Sequence, residues 1–297
     1  MTPRNAEENE HVLMFIDITR AHPHCDMRRE VWVDLPREDP RSVEEGVCAK
    51  LLKSLYGLRD AGLSFELFTR GVMEQLGFAC GVWSQCVYHN AERNMQAYIY
   101  GDNFVIKGSW KNLYQFFEDL KVHMWAKNEG VLGPDVSQGD VREVVCLNRV
   151  FRWTRAQDAW KEAIEIEADA RHVHLILQQL GLRLGSNAVV TPGVKPPSAD
   201  VGVEPPREQH REFRSLCMRA NYLAEDRPDI RFCTKEIARF MATPCELGWN
   251  MMKRLARYLA GTPRLVQRIE RQTAVDYVLG MSDSDHAGCL RTRRSTS

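Results

Sequence analysis

Apolar residues recur along this chain with two periods, and the alternation between them predicts its elements. Short apolar or alternating runs at 12–17, 30–36, 47–52, 86–88, 97–106, 144–153 and 275–283 predict strands. Helical spacing takes over at 61–76, through Leu63, Leu67, Val72 and Leu76, with Gly77 placed to end the helix. At 110–121, Leu113, Phe116, Phe117 and Leu120 fall on one helical face, a stripe that reads as core. A single helix is predicted over 163–180, with His172 and His174 near its middle and Gly181 after it. Three more helical patterns occupy 208–225, 230–241 and 247–260. Strands mixed with helices, and a hairpin among them, predict an α+β fold in which helices cover one face of an antiparallel sheet.

Two polar interruptions stand out against this pattern. Gly101-Asp102-Asn103 splits the apolar run 98–106 and reads as a tight hairpin turn, because these residues tolerate positive φ where their neighbours do not. Asp17 interrupts the apolar strand that begins at Met14. A carboxylate within a strand is costly to bury unless it is paired, hydrogen-bonded or bound to metal. Adjacent strands could present Asp17 and Asp102 to one Mg²⁺ site, since that ion takes one or two carboxylates and fills its shell with substrate phosphates. On spacing alone the plainer reading is the stronger: Asp102 as an ordinary turn residue and Asp17 as a strand-end or cap residue.

Composition narrows the choices. The chain has 297 residues, enough for a real core and more than one unit. Forty Lys and Arg balance forty Asp and Glu, so no global basic charge points to nucleic acid and local clusters would have to supply it. Such clusters are Arg149, Arg152 and Arg155 on one predicted strand, and Lys253, Arg254 and Arg257 on the last helix; solvated faces explain them equally well. Nine scattered cysteines form no Cys-x-x-Cys pair, which suggests reduced thiols and an intracellular, soluble protein, cytoplasmic or nuclear. No apolar run approaches membrane-spanning length, so no membrane partner is expected. His22-Pro23-His24-Cys25 is a poor zinc motif, with a proline between its histidines and no fourth ligand. Residues 185–206, rich in Gly, Pro and Ser, read as a linker.

Longer motifs carry a resemblance. Phe15-Ile16-Asp17-Ile18, the stretch Lys50-Leu51-Leu52-Lys53-Ser54-Leu55-Tyr56-Gly57-Leu58-Arg59, Tyr100-Gly101-Asp102-Asn103, Arg227-Pro228-Asp229-Ile230, and Ser282-Asp283-Ser284-Asp285-His286-Ala287-Gly288 with Arg293-Arg294-Ser295-Thr296-Ser297 follow one another in this order. Together they resemble the reverse transcriptase region, and the start of the ribonuclease H region, of a copia-type retrotransposon Pol polyprotein. The stretches 53–58 and 293–297 are specific to that family and exclude the RNA-templated RNA polymerases, where Gly-Asp-Asn hairpins also occur.

The resemblance implies a reverse-transcriptase-like palm, a helical thumb and connection, and a truncated ribonuclease-H-like start. Its segments would be 1–125 for partial fingers and palm, 126–184 for the end of the palm and a thumb-like helix, 185–206 for a linker, 207–265 for a helical connection and 266–297 for the nuclease start. It implies templated nucleotidyl transfer with two Mg²⁺ or Mn²⁺ ions. Asp17 and Asp102 would be the catalytic ligands, the Ile18 carbonyl assisting, and Asp283 would be a nuclease remnant. RNA template, DNA primer and deoxynucleoside triphosphates would be the partners, with other Pol segments beside them. His22, Gly57, Arg59 and Asp60 would line the nucleotide and template. Five residues depart from the pattern: His22 where an aromatic residue is usual, Asp60 where Gln is usual, Phe65 where many relatives have Trp, His286 for Trp, and Asn103 for the second hairpin aspartate. They leave a weak polymerase and a catalytically dead binding or assembly module as alternative expectations.

Overall fold

The computed structural model describes residues 11–44, 46–155, 162–195, 200–272, 279–282, 286–289 and 292–295. The chain forms two compact units, one from 1–147 with 152–154 and one from 148–151 with 155–297. In chain order its elements are β1 (His11–Ile18), β2 (Trp32–Asp34), β3 (Cys48–Lys50), α1 (Ala61–Gln75), β4 (Ala79–Cys80), β5 (Val87–Asn90), β6 (Met95–Tyr100), β7 (Asn103–Ser109), α2 (Trp110–Lys121), β8 (Ala126–Leu132), β9 (Glu143–Cys146), β10 (Arg149–Arg155), β11 (Glu162–Glu167), α3 (Arg171–Gln179), α4 (Arg207–Ala224), α5 (Pro228–Ala238), α6 (Glu246–Gly261) and β12 (Val266–Glu270). The architecture is mixed, with antiparallel pairing and six α-helices among the described residues.

The first unit is built on a six-stranded antiparallel sheet in the order β4-β5-β6-β7-β1-β8. Alternation decides which face is buried. Val12, Met14, Ile16 and Ile18 of β1, Phe104 and Ile106 of β7, and Met95, Ala97 and Ile99 of β6 pack against Phe65, Val72 and Met73 of α1 and Leu113, Phe116 and Leu120 of α2. α2 has the predicted bounds because Ser109 Oγ accepts from Asn112 N at 3.4 Å, which caps its first turn, while the apolar stripe fixes its buried face. The opposite face of β6 leaves Tyr98 and Tyr100 exposed.

Beside the sheet, β2 and β3 form a short antiparallel ribbon. Its flanks are tied by Asp26–Lys53 at 2.7 Å and by Glu30–Lys50.

Two predicted elements differ. The strand over 144–153 is two strands, β9 and β10, separated by Leu147 and Asn148, both at positive φ. The helix over 163–180 is β11 followed by the shorter α3. Glu162-Ala-Ile-Glu-Ile-Glu alternates with period two and pairs antiparallel with β12, where Glu165 faces Arg268 at 3.3 Å and Glu162 reaches Arg271 at 2.8 Å. Strand pairing therefore overrides the helix formers at its start. Most of the predicted strand 275–283 lies outside the described residues.

The second unit's core joins Val173, Ile176 and Leu177 of α3 to Phe213, Leu216 and Ala220 of α4, Ile230 and Ile237 of α5, and Met252, Leu255 and Leu259 of α6. Arginines satisfy carbonyls at the helix ends, which have no partner within the helix, and in the loop after α5. Arg214 donates to the carbonyls of Met241 and Ala242, and Arg231 to those of Ala224 and Glu225. Arg227, only 1% exposed, donates to the carbonyl of Thr262 at 3.0 Å and grips Asp229 in a bidentate pair at 2.9 and 2.7 Å.

The Gly- and Pro-rich stretch 185–206 lies within this unit and runs along α6. Gly185 N donates to Ala260 O, Arg257 to Asn187 O, and Arg254 to Thr191 Oγ1. At the other end, Glu246 N donates to Val203 O and Leu247 N to Val201 O.

Candidate active site

The β1–β7 register places Asp17 opposite Asn103. On the other side of β7, Tyr100 and Asn103 close the β6–β7 hairpin, so Gly101 and Asp102 alone make the turn. Gly101 takes φ +60° while Asp102 stays at negative φ, the pattern of a type II′ turn, which calls for glycine in the first position. The Asp102 carbonyl accepts from Ile18 N at 2.9 Å, which fastens the turn to the end of β1. Two carboxylates remote in sequence thus meet at one corner of the sheet.

Electrostatics there are adverse without a cation. Partial burial, then the charges of Asp102 and Glu129, raise the Asp17 carboxyl above its ordinary value, and Lys127 opposes them only in part. Lys127 is the β8 partner of Asp17 and is itself paired to Glu129 at 2.8 Å. Repelling carboxylates on a strand and on the turn fastened to it suit a divalent cation that completes its shell with phosphate oxygens, so the residues present fit Mg²⁺ or Mn²⁺. Among the described residues no group of three or more His, Cys, Asp or Glu forms a closed metal site.

Asn103 makes two directed contacts. Its Nδ2 donates to Asp102 Oδ1 at 2.9 Å, and its Oδ1 accepts from Cys146 Sγ at 3.6 Å. A carboxylate can only accept, so the amide must turn its nitrogen toward Asp102.

The other expected residues lie between β1 and α1. His22 opens a short 3₁₀ turn after β1, its ring 4.4 Å from Tyr56 and 6.3 Å from Phe65. Gly57 sits at φ +90°, and Arg59 is exposed. Asp60 precedes α1 and takes a bidentate pair from Arg29 at 3.0 and 3.2 Å; these hydrogen bonds hold its carboxyl below the ordinary value. Asp283 lies outside the described residues, while His286 falls within them. Neither His24 nor Cys25 joins His22 in a metal cluster: His24 Nε2 lies 3.1 Å from the Thr19 carbonyl oxygen, and Cys25 is buried. Arg149 pairs with Asp226 at 2.6 Å and Arg152 with Glu143 at 2.7 Å.

Pattern reading had given no role to Cys146, Lys127 or Glu129. β8 is short and its first half polar, so only its pairing with β1 reveals the two charges beside Asp17.

Residues 4–138 match the protein family described as reverse transcriptase (RNA-dependent DNA polymerase). The chain is also similar to the retrovirus-related Pol polyprotein from transposon RE2 of Arabidopsis thaliana, 22% identical over 84% of this chain and 16% of that protein. The chain is a relative of the reverse transcriptases of copia-type retrotransposon Pol polyproteins. Its similarity to the Pol polyprotein from transposon TNT 1-94 of Nicotiana tabacum, 20% identical, covers 95% of this chain and 21% of that protein. An uncharacterized mitochondrial protein of Arabidopsis thaliana shares 35% identity over 29% of this chain and 35% of its own length. This reverse transcriptase relative therefore spans a small part of the Pol polyproteins it matches. No helix among its described residues is long and apolar enough to cross a membrane.

Proposed function

We propose that this chain performs RNA-directed DNA synthesis as a segment of a retrotransposon Pol polyprotein, with Asp17 and Asp102 as its catalytic carboxylates. The observation that carries this reading is the juxtaposition of those two residues by the β1–β7 register and the two-residue turn. Bound divalent cations would supply charge neutralisation at the attacking and leaving oxygens of an in-line displacement. Asp17, near the end of β1, and Asp102, in the turn fastened to Ile18, hold their carboxylates on backbone fixed by hydrogen bonds, which keeps the acidic corner rigid before substrate arrives. His22, packed on Tyr56, would flank the sugar of an incoming deoxynucleoside triphosphate, and Gly57 would lie beneath the template. The RNA template and DNA primer would run past the exposed Tyr98 and Tyr100 face of the sheet.

The non-enzymatic binding reading gains little from the basic residues proposed for it. Arg254 and Arg257 hold the 185–195 stretch, and Arg149 and Arg152 are each paired to a carboxylate.

Primer extension on poly(rA)·oligo(dT) with Mg²⁺ or Mn²⁺ tests the assignment. Extension by the chain as it stands, abolished in Asp102→Ala, is the expected result. If the missing hairpin charge weakens the transition state by about 3 kcal/mol, Asn103→Asp raises the rate about a hundredfold. Extension unchanged in Asp102→Ala, or none in any of the three, would remove the polymerase reading.

A further inference from the structure

The contacts of Asn103 suggest a use for the residue that departs from the hairpin pattern. Its side chain is half-buried between a carboxylate and a thiol that come from different elements, the β6–β7 turn and β9. The amide satisfies both in one orientation: nitrogen donates to Asp102 Oδ1, and oxygen accepts from the buried Cys146. The reversed amide would set oxygen against oxygen at Asp102 and leave its nitrogen only the weak sulfur acceptor of Cys146. In this orientation Asn103 Oδ1 is turned to Cys146, and one of the two Asp102 oxygens already carries a hydrogen bond.

We infer that Asn103 is a positioning residue for Asp102, held in register by Cys146, so that Asp102 offers a single oxygen, Oδ2, to a divalent cation. This rests on the reading of Asp17 and Asp102 as cation ligands. One-oxygen presentation selects by geometry. Mg²⁺ and Mn²⁺ sites are octahedral and close-fitting, while Ca²⁺ readily takes both oxygens of one carboxylate. A carboxylate whose second oxygen is engaged therefore favours the smaller ions. The relay also keeps the carboxylate from rotating, as partners behind a metal ligand commonly do.

The test is a Mn²⁺ titration of the full chain, with free ion counted by electron paramagnetic resonance and Ca²⁺ added as competitor. The variants are Asn103→Ala, Cys146→Ala, Cys146→Ser and Asp102→Asn, each checked for its melting temperature. Asn103→Ala should weaken Mn²⁺ about tenfold, within the range seen when residues behind metal ligands are removed, and should lower Mn²⁺-over-Ca²⁺ preference severalfold. Cys146→Ala should lower affinity by less, and Cys146→Ser, which keeps a donor, should restore it. Should Cys146→Ala fail to fold, Asn103→Ala at its half-buried position still decides. Equal affinity and preference in Asn103→Ala and the unchanged chain, with binding lost in Asp102→Asn, would overturn the relay and leave the cation reading standing. No binding by any form, or binding indifferent to Asp102→Asn, would overturn both.

Discussion

Asp17 and Asn103 face one another across β1 and β7, and that register sets the Asp17 carboxylate beside the charge of Asp102. Strand pairing, not sequence proximity, assembles the acidic corner.

A stability cost follows. The Asp17 carboxyl is raised above its ordinary value by burial and by neighbouring carboxylates, so its ionised form is disfavoured by the fold. The resulting loss of stability is full above the folded value and vanishes below the ordinary value of 3.8. At neutral pH without divalent cation, Asp17→Asn should raise the melting temperature. The gain should shrink as pH falls through that window, and adding Mg²⁺ should stabilise the unchanged chain but not the variant. Differential scanning calorimetry with and without chelator checks this; a variant no more stable at neutral pH would refute it.

Asp229 titrates the other way. Burial pushes the Asp229 carboxyl up, but hydrogen bonds from Arg227 and Tyr258, with the guanidinium charge, outweigh it and hold the group below 3.8. Its contribution is therefore present above that value and lost as pH falls through the lower folded one. Asp229→Ala should cost about 3 kcal/mol at neutral pH by removing the carboxylate partner of a buried guanidinium, and acid should narrow the difference as the carboxyl protonates. Urea unfolding at several pH values reads both effects.

Gly57 tests backbone against space. No atom lies within 4 Å of a Cβ built there, yet φ is +90°. Gly57→Ala should cost about 1–2 kcal/mol from the left-handed conformation alone, and Gly57→Asn less. Equal stabilities by denaturant unfolding would show that the turn relaxes.

The Arg29–Asp60 pair is a surface contact, with Arg29 half exposed. A double-mutant cycle should return a small coupling that falls with added salt. A larger, salt-insensitive coupling would mark the pair as buried in solution.

How much of this was legible depended on which contacts decide each element. α2 announced itself through the stripe Leu113, Phe116 and Leu120, which needs no partner to be seen, and the Gly101-Asp102 turn through residues that tolerate few other roles. By contrast, β11 was hidden because Glu and Ala favour helix locally, and the Arg268 that draws Glu165 into a strand lies far along the chain. The β9–β10 turn was hidden because Leu147 occupies a positive φ that leucine rarely takes, so Asn148 alone marks the bend. Asp17 and Asp102 were readable as a pair, whereas the β9 thiol and the β8 charges near them were not.

The hairpin has a consequence for how such a chain ages. Asn103 begins β7 in a position that an aspartate would fill with the same backbone, and its amide contents its neighbours without any cation. Folding therefore places no premium on the charge at position 103, while Gly101 and the strand register remain under constraint. An exchange between Asp and Asn at position 103 is therefore silent in the fold and is read only in the chemistry of the acidic corner.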